Sequence, residues 1–487
     1  MVVCDYSSAA ADFSSSTGKA QAGQAFVVLG GGIAGLAAAR ELLQRGCSVT
    51  LIEKGAEVGG LARTFEAEGF RFDIGGHRFH SNNPSVVQWL KDLLKEDLLL
   101  VPRISHIHLN GQFANYPIQF PGALSIFSPL QAVKMVLSYA IAKLKERDRP
   151  EHSFEDWVIK RYGKALYNVF FKPYTEKVWG IPATELASTW ASQRIRIPSM
   201  WKMVKRAIKP PKVNNTAAAI SQFYYPRSGF GRIPETLKQE ILQLGGIIHA
   251  SASLYRLEPR DDGGFSVTFQ SPDGTLNTVE ADQLVSTIPI NYLLEAMPAE
   301  YGSQSVQANT ALEYRDIICL FVALNKPQVS VDSWTYFPSP NLIFGRTHEP
   351  KNWSPNMVPS DQQTSLAIEI FANQGESIWN LSDDEILDRV VEQMNQIGWI
   401  NKRDVHKGWV LRVPYAYPVY RVGYEQKLQA VKDFLGQWPN LHLVGRTGSF
   451  HYMNSDGVIE DVFRFIEDRF PEAVTEVKPL AAAGRWM

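Results

Sequence analysis

Cysteine is scarce: Cys4, Cys47 and Cys319 are all that 487 residues contain. Three widely spaced thiols suit neither a disulfide framework nor a zinc cage, and they fit a reducing compartment. An excess of either charge is missing too. The 49 Lys plus Arg and 50 Asp plus Glu leave a net charge of -1, so no overall field draws the chain to nucleic acid or anionic lipid. Any anion it binds has to be gripped by local arginines. Long apolar runs are also lacking: Phe26–Leu43 is broken by Arg40 and Glu41, and Ala132–Leu144 is shorter than the roughly 18 residues a membrane span needs. An integral membrane segment is therefore not expected. The Phe127–Leu144 region reads as a buried helix, with an interfacial contact as the alternative. Residues 1–24, rich in Ser, Ala and Gly without a basic start followed by an apolar stretch, read as a loose tail and not as a secretory signal. The expected location is cytoplasmic.

What is present begins with Phe26–Leu29, a short β-prone apolar run. Gly30-Gly31-Gly32-Ile33-Ala34-Gly35 follows at once, and then a helical pattern through Leu36, Ala39, Leu42 and Leu43. Gly30, Gly32 and Gly35 have the spacing of a dinucleotide turn. Its glycines permit the bend, let backbone approach a pyrophosphate and let helix pack on strand, while helix N–H groups face the phosphate charge. A second strand, Ser48–Ile52, ends in Glu53, where a carboxylate can accept from ribose hydroxyls. Late in the chain Leu441–Val444 is again a strand, opening into Gly445-Arg446. Asp456, Gly457 and Val458 then start a helix over Val458–Phe465, with Asp456 expected as N-cap.

Strand-like runs at Ser251–Leu257, Phe265–Phe269 and Asp282–Ile288 are expected to join the N-terminal unit. Helical spacing marks 84–100 and 123–222, and strand-like runs mark 104–120, 311–325, 334–346, 365–371 and 408–420. No His, Cys or acid spacing suggests a metal site. No Ser-His-Asp signature or P-loop is present.

The continuation from Glu53-Lys54 to Gly59-Gly60-Leu61-Ala62-Arg63 resembles the second signature of the FAD-dependent amine oxidase and mutase superfamily, which favours FAD over NAD. Five further segments resemble the UDP-galactopyranose mutase family, in the same order. They are Gly76-His77-Arg78-Phe79-His80-Ser81-Asn82; Phe170 through Tyr174-Thr175-Glu176-Lys177-Val178-Trp179-Gly180 and on to Arg194-Ile195-Arg196; Leu312-Glu313-Tyr314-Arg315; Arg346-Thr347-His348-Glu349-Pro350-Lys351 with Glu369 following; and Gly445-Arg446-Thr447-Gly448-Ser449-Phe450-His451-Tyr452.

The resemblance implies an α/β fold: a discontinuous Rossmann-like FAD-binding domain (25–80, 226–300, 436–475), a mainly helical substrate region with a mobile loop (81–225) and an antiparallel-sheet substrate region (301–435). It implies FAD contacts at Gly30, Gly32, Ile33, Ala34, Gly35, Glu53, Lys54, Gly60, Leu61, Arg63, Gly76, His77, Gly445, Arg446, Asp456, Gly457 and Val458. The substrate would be a UDP-sugar, with Phe170 and Tyr174 holding the uracil and Trp179 near the uridine. Arg194 and Arg315 would clamp the pyrophosphate, Tyr452 would donate to it, and Tyr417 and Tyr420 are weaker candidates. Asn82, His77 and Arg446 would lie around sugar and flavin. These residue types suit a flat base, a dianionic diphosphate and a polar sugar. Phe170 and Tyr174, four apart, would share one helix face.

The implied reaction interconverts pyranose and furanose forms of a UDP-sugar, UDP-galactose first among them, with N5 of the reduced flavin as nucleophile. NAD(P)H or another reductant would keep the flavin reduced. His77, Arg446, Arg194 and Arg315 would be the catalytic group. Against the family pattern, Gly76 replaces Pro, Phe450 replaces Tyr and Asn454 replaces Asp, and Arg78 and 200–222 have no counterpart. The run Tyr225 to Pro234 resembles amine oxidase and protoporphyrinogen oxidase-like chains, so an FAD-dependent oxidoreductase is the alternative, and a non-catalytic nucleotide-binding protein is a third reading.

Overall fold

The computed structural model describes residues 23–116, 127–146, 149–195 and 222–471. Residues 1–22 of the expected tail, the 200–221 stretch and Arg196 lie outside them. The chain divides into two compact units, one drawing its described residues from 23–60, 234–304 and 432–471, the other from Leu61–Ile233 and Ser305–Val431.

In the first unit Ala25–Leu29 forms the middle of a five-stranded parallel sheet, ordered Leu441–Leu443, Gln283–Ser286, Ala25–Leu29, Ser48–Ile52, Ile247–His249. Phe26, Val27, Val28 and Leu29 are all buried, the unbroken apolar run expected where helices cover both faces. The helix Ile33–Gln44 packs beside the C-terminal helix Ser455–Arg469. Ser253–Pro259 and Phe265–Gln270 lie in this unit as expected, and with Leu276–Ala281 they make a separate three-stranded antiparallel sheet. One expectation changes. The C-terminal helix begins at Ser455, and its N-cap is Asn454 in extended conformation, not Asp456, which lies in the first turn.

In the second unit a seven-stranded sheet runs Val405–Pro418, Tyr314–Leu324, Thr364–Phe371, Arg346–His348, Trp334–Tyr336, Ser105–Leu109, Gln112–Asn115. One face, through Ile318, Leu320, Val322, Leu366, Ile368 and Ile370, packs on Ile386, Val390 and Met394 of the helix Asp383–Gln396. The opposite face, through Ile317, Cys319, Phe321, Ala367 and Phe371, packs on Phe70, Phe72 and Ile74. Burial on both faces explains why Tyr314–Leu324 and Thr364–Phe371 have no exposed residue. Glu369 is the one charged residue in the latter strand. Asp73, 1% exposed, is bonded by Tyr225 Oη (2.6 Å), Thr64 Oγ1 (2.7 Å) and Phe230 N–H (2.9 Å). Burial outweighs those bonds and pushes its carboxyl up to about 6.

Helices of this unit include Pro129–Lys145, Phe154–Tyr162, Lys172–Trp179 and Ser188–Arg194, besides Pro84–Leu94 and Asp383–Gln396. Ser128 with Gln131, and Ser153 with Asp156, cap the first two reciprocally. Leu98–Pro102 and Gln222–Pro226, at the ends of stretches expected to be helical, are instead paired antiparallel strands. The helix Pro129–Lys145 is not the buried helix expected: Met135 and Ala142 face inward, while Leu130, Val133, Leu137, Ile141 and Leu144 are exposed.

Candidate functional site

The turn after Ala25–Leu29 is built by its glycines in two ways. Gly30 turns at φ +97°. A Cβ there would fall 2.6 Å from Thr287 Oγ1, and one on Gly35 would fall 1.9 Å from the Gly30 carbonyl oxygen. The protein's own packing demands both. Among the described residues a Cβ on Gly32 would meet no atom within 4 Å, so their packing does not explain this glycine. It stands at the N-cap of Ile33–Gln44, whose first turn carries no acid, so the N–H groups of Ile33, Ala34 and Gly35 begin a helix end suited to phosphate.

Glu53 is aimed by two backbone donors, Gly31 N–H and Gly55 N–H, each at 2.6 Å. Gly59, at φ +118°, donates to the Gly31 carbonyl at 2.6 Å, and a Cβ on Gly60 would lie 3.3 Å from Gly32 Cα. The second glycine pair thus exists to lie against the first. Lys54 stands over the Tyr292 ring at 5.1 Å. Gly445, at φ +78°, lies against Ala34, where a Cβ would come within 2.5 Å, and its N–H donates to Asp461 at 2.8 Å. Arg446 stacks over Tyr452 at 4.4 Å and reaches the Met453 carbonyl at 3.5 Å. Gly457 and Val458 are buried in the first turn of the C-terminal helix. An open helix end, a positioned acid and stacked glycine loops fit a dinucleotide.

The other unit gathers a second set. Register places Tyr336, Arg346, Glu369 and Cys319 in one row across four adjacent strands. Arg346 Nε donates to Glu369 at 2.9 Å, its Nη2 donates to the other carboxylate oxygen, and the Gly76 N–H donates to Glu369 at 3.0 Å. Burial works to raise the Glu369 pKa, but the Arg346 charge and these donors prevail and hold it below the usual carboxylate range. Tyr336 meets Tyr174 edge-on at 5.8 Å and Tyr116 at 4.7 Å, and Tyr174 and Tyr417 both interact with the Arg346 charge. Burial pushes the phenols of Tyr174 and Tyr116 up, so they stay neutral donors. His348 stacks on Trp353 at 4.6 Å, and burial pushes its imidazole down to about 3.

His77 bonds the Ile74 carbonyl at 2.9 Å and stacks on Phe230 at 5.1 Å. Asn82 is exposed and hydrogen-bonds His80. Arg63 N-terminally flanks the hairpin Thr64–Asp73 and accepts the Ile74 N–H through its carbonyl; Leu61 packs against the aromatic face of the large sheet.

Several expected substrate residues have other occupations. Arg315 is 2% exposed and donates to Val178 O at 3.0 Å, to Phe371 O at 2.7 Å and to Glu376; it ties a helix end to the sheet. Trp179 is buried against Trp190 and Tyr417, and Tyr420 is buried, stacked on Tyr424. Phe170 and Tyr174 do not lie on one regular α-helix: Tyr167–Phe171 is a π-helical turn. Phe170 packs on the cluster of Leu109, Phe127 and Met135, while Tyr174 faces Tyr336. Arg194 ends the helix Ser188–Arg194; its side chain is outside the described residues. Tyr336, Tyr116 and the partnership of Arg346 with Glu369 escaped the sequence reading. A lone acid inside the apolar run Leu366 to Ile370 was the available signal. Lys177, at the centre of the most specific motif, spends its ammonium on the carbonyls of Phe337 (2.9 Å), Ser339 (2.8 Å) and Phe344 (2.5 Å).

The flavin containing amine oxidoreductase family matches residues 33–461. The chain belongs to this family. FAD is accordingly its cofactor, and its α/β architecture is the family's. Within the family it is 26% identical over 174 residues to a Klebsiella pneumoniae protein named as a probable UDP-galactopyranose mutase, a match spanning 34% of this chain and 43% of that protein. It is 21% identical over 440 residues to chloroplastic protoporphyrinogen oxidase of Nicotiana tabacum, spanning 84% and 76%. A crystal structure of reduced UDP-galactopyranose mutase superposes with a TM-score of 0.81 at 20% identity, covering 93% of this chain and 96% of that one. No helix among the described residues is long and apolar enough to cross a membrane.

Proposed function

We propose that this flavoenzyme interconverts pyranose and furanose forms of a UDP-sugar, most simply UDP-galactose. The observation that carries the reading is the set of phenols, Tyr116, Tyr174, Tyr336 and Tyr417, around the Arg346–Glu369 pair next to Gly76 and His77. Neutral hydroxyl donors and a guanidinium suit a sugar nucleotide; a porphyrinogen or carotenoid would call for an apolar lining. The Klebsiella relative supports the same substrate class.

In this reading FAD is held by Gly32, Glu53, Gly60 and the segment from Gly445 to Val458. Bound and reduced, it supplies the nucleophile for the anomeric carbon. The protein's part is to orient the sugar and to accept the negative charge of the departing diphosphate, the role proposed for Arg194, Arg446 and Tyr452. Arg315 joins them only if it exchanges its bond to Glu376 for phosphate. Arg346 stays charged and Glu369 stays ionised, so neither is a proton donor at neutral pH.

The test is to reduce the flavin anaerobically and follow conversion of UDP-galactopyranose to the furanose by chromatography. Turnover confined to the reduced enzyme is expected; equal turnover with oxidised flavin, or none with several UDP-hexoses, overturns the proposal. The length of the tobacco match favours a second reading, an FAD-dependent oxidoreductase. Its signature is oxygen uptake with a porphyrinogen or amine.

A further inference from the structure

The helix Pro129–Lys145 has an outer face that the described residues of its unit leave open. Leu130 is 79% exposed, Leu137 59% and Leu144 84%, with Val133, Val136 and Ile141 each about half exposed. At 3.6 residues per turn these six fall on one continuous stripe, about 21 Å long at 1.5 Å per residue. The inner side is fixed: Met135 and Ala142 are buried, the Ser138 hydroxyl accepts the Ala165 N–H at 3.0 Å, and a Cβ on Gly163 would fall 2.8 Å from the Ser138 backbone. The helix therefore cannot rotate to hide its stripe without breaking that seat.

Charge decides what the stripe fits. Within Pro129–Lys145 there are three lysines and no acid. All three lysines are exposed. On the helical projection Lys143 borders the apolar stripe on one side, and Lys134 and Lys145 border it on the other. Long side chains there can lay their methylenes along the apolar surface and lift their ammonium groups to a layer of anions. A protein partner calls for no such border of one sign on both edges. The helix, 17 residues, is too short to span a bilayer but long enough to lie in its surface.

We infer that Pro129–Lys145 is an interfacial helix that docks the enzyme on a membrane surface containing anionic lipid, with Leu130, Leu137, Ile141 and Leu144 in the acyl boundary and the three lysines among the phosphates. This is independent of which reaction the flavin performs.

Full-length flavin-loaded protein is sedimented with vesicles of mixed phosphatidylcholine and phosphatidylglycerol, and with phosphatidylcholine alone. Binding to the mixed vesicles, weaker binding to neutral ones and release by salt are expected. Leu137→Glu with Leu144→Glu should lower partitioning by at least roughly tenfold, and Lys134→Gln with Lys143→Gln should remove the preference for anionic vesicles. Flavin absorbance and thermal midpoint check that these surface variants remain folded. Absence of wild-type binding, or binding that the leucine variant leaves unchanged, overturns the inference. Absence of vesicle binding together with a dimer, by light scattering, that the leucine variant dissociates would assign the stripe to a second copy of the chain instead.

Discussion

Arg346 and Glu369 stand directly opposite one another on adjacent strands, and the Glu369 carboxylate that accepts from Arg346 also receives the Gly76 N–H. The pair therefore fixes the glycine turn that leads into His77, so its electrostatics are backbone geometry as much as charge. Glu369→Gln keeps the shape and strands the Arg346 charge. With a quarter of the arginine side chain exposed, the expected loss is about 2–3 kcal/mol, below that of a fully buried broken pair. A double variant, Arg346→Met with Glu369→Gln, should be more stable than Glu369→Gln alone. Denaturant midpoints of the three proteins check this.

Two alanine substitutions in the dinucleotide turn should part company. In Gly35→Ala the new methyl collides with the Gly30 carbonyl oxygen, so the protein should fail to fold or unfold at markedly lower temperature. In Gly32→Ala the methyl meets no atom of the described residues within 4 Å, so the fold should survive while FAD is lost. Circular dichroism and flavin absorbance of purified protein separate the outcomes; normal flavin content in Gly32→Ala would place the pyrophosphate elsewhere.

Arg315→Met leaves two buried carbonyls, Val178 O and Phe371 O, without their donor. A cost of about 2–4 kcal/mol is expected. Arg315→Lys should recover only part of it, because one ammonium cannot reach three acceptors set around a planar fork. Denaturation with an unchanged m-value tests this, and UDP titration of the same variants shows whether the phosphate role adds to it.

Asp73 links stability to pH. Its folded pKa, about 6, lies above 3.8, so between these values the folded chain holds a proton that the unfolded chain releases. Its contribution is complete below about pH 4, is lost as pH rises to about 6 and stays lost above. The size is roughly 3 kcal/mol. Asp73→Asn, which preserves an acceptor for the Phe230 N–H, should lack this component, seen as a flatter midpoint between pH 4 and 7.

Local chemistry made half of this architecture readable. The glycine turn, the acid at Glu53 and the Gly59-Gly60 pair are contiguous signals, and each sits where its spacing requires. The row of Tyr336, Arg346 and Glu369 exists only through register between strands distant in sequence, which no single stretch encodes. Arg315 shows a limit of motif reading: an arginine beside a family motif looks the same in sequence whatever it donates to, and here it donates to two backbone carbonyls and Glu376. Helical periodicity at Pro129–Lys145 gave the element but not its surroundings: an apolar stripe has the same pattern whether it faces a core or an open surface. The π-helical turn at Tyr167–Phe171 broke the i, i+4 reasoning for Phe170 and Tyr174 for a similar reason, since spacing predicts a shared face only on regular helix.

The edge strand Leu441–Leu443 completes a sheet whose other members, from Ala25–Leu29 to Gln283–Ser286, come well before it in the chain, and the helix Ser455–Arg469 packs beside the helix Ile33–Gln44. On the ribosome, Gln283–Ser286 waits as a bare edge, and Ala34 waits for Gly445, until the stretch from Leu441 to Arg469 has been made. A premature stop shortly before Leu441 would release a polypeptide that carries every glycine of the phosphate turn, keeps no grip on its cofactor and offers an unsatisfied strand to whatever it meets.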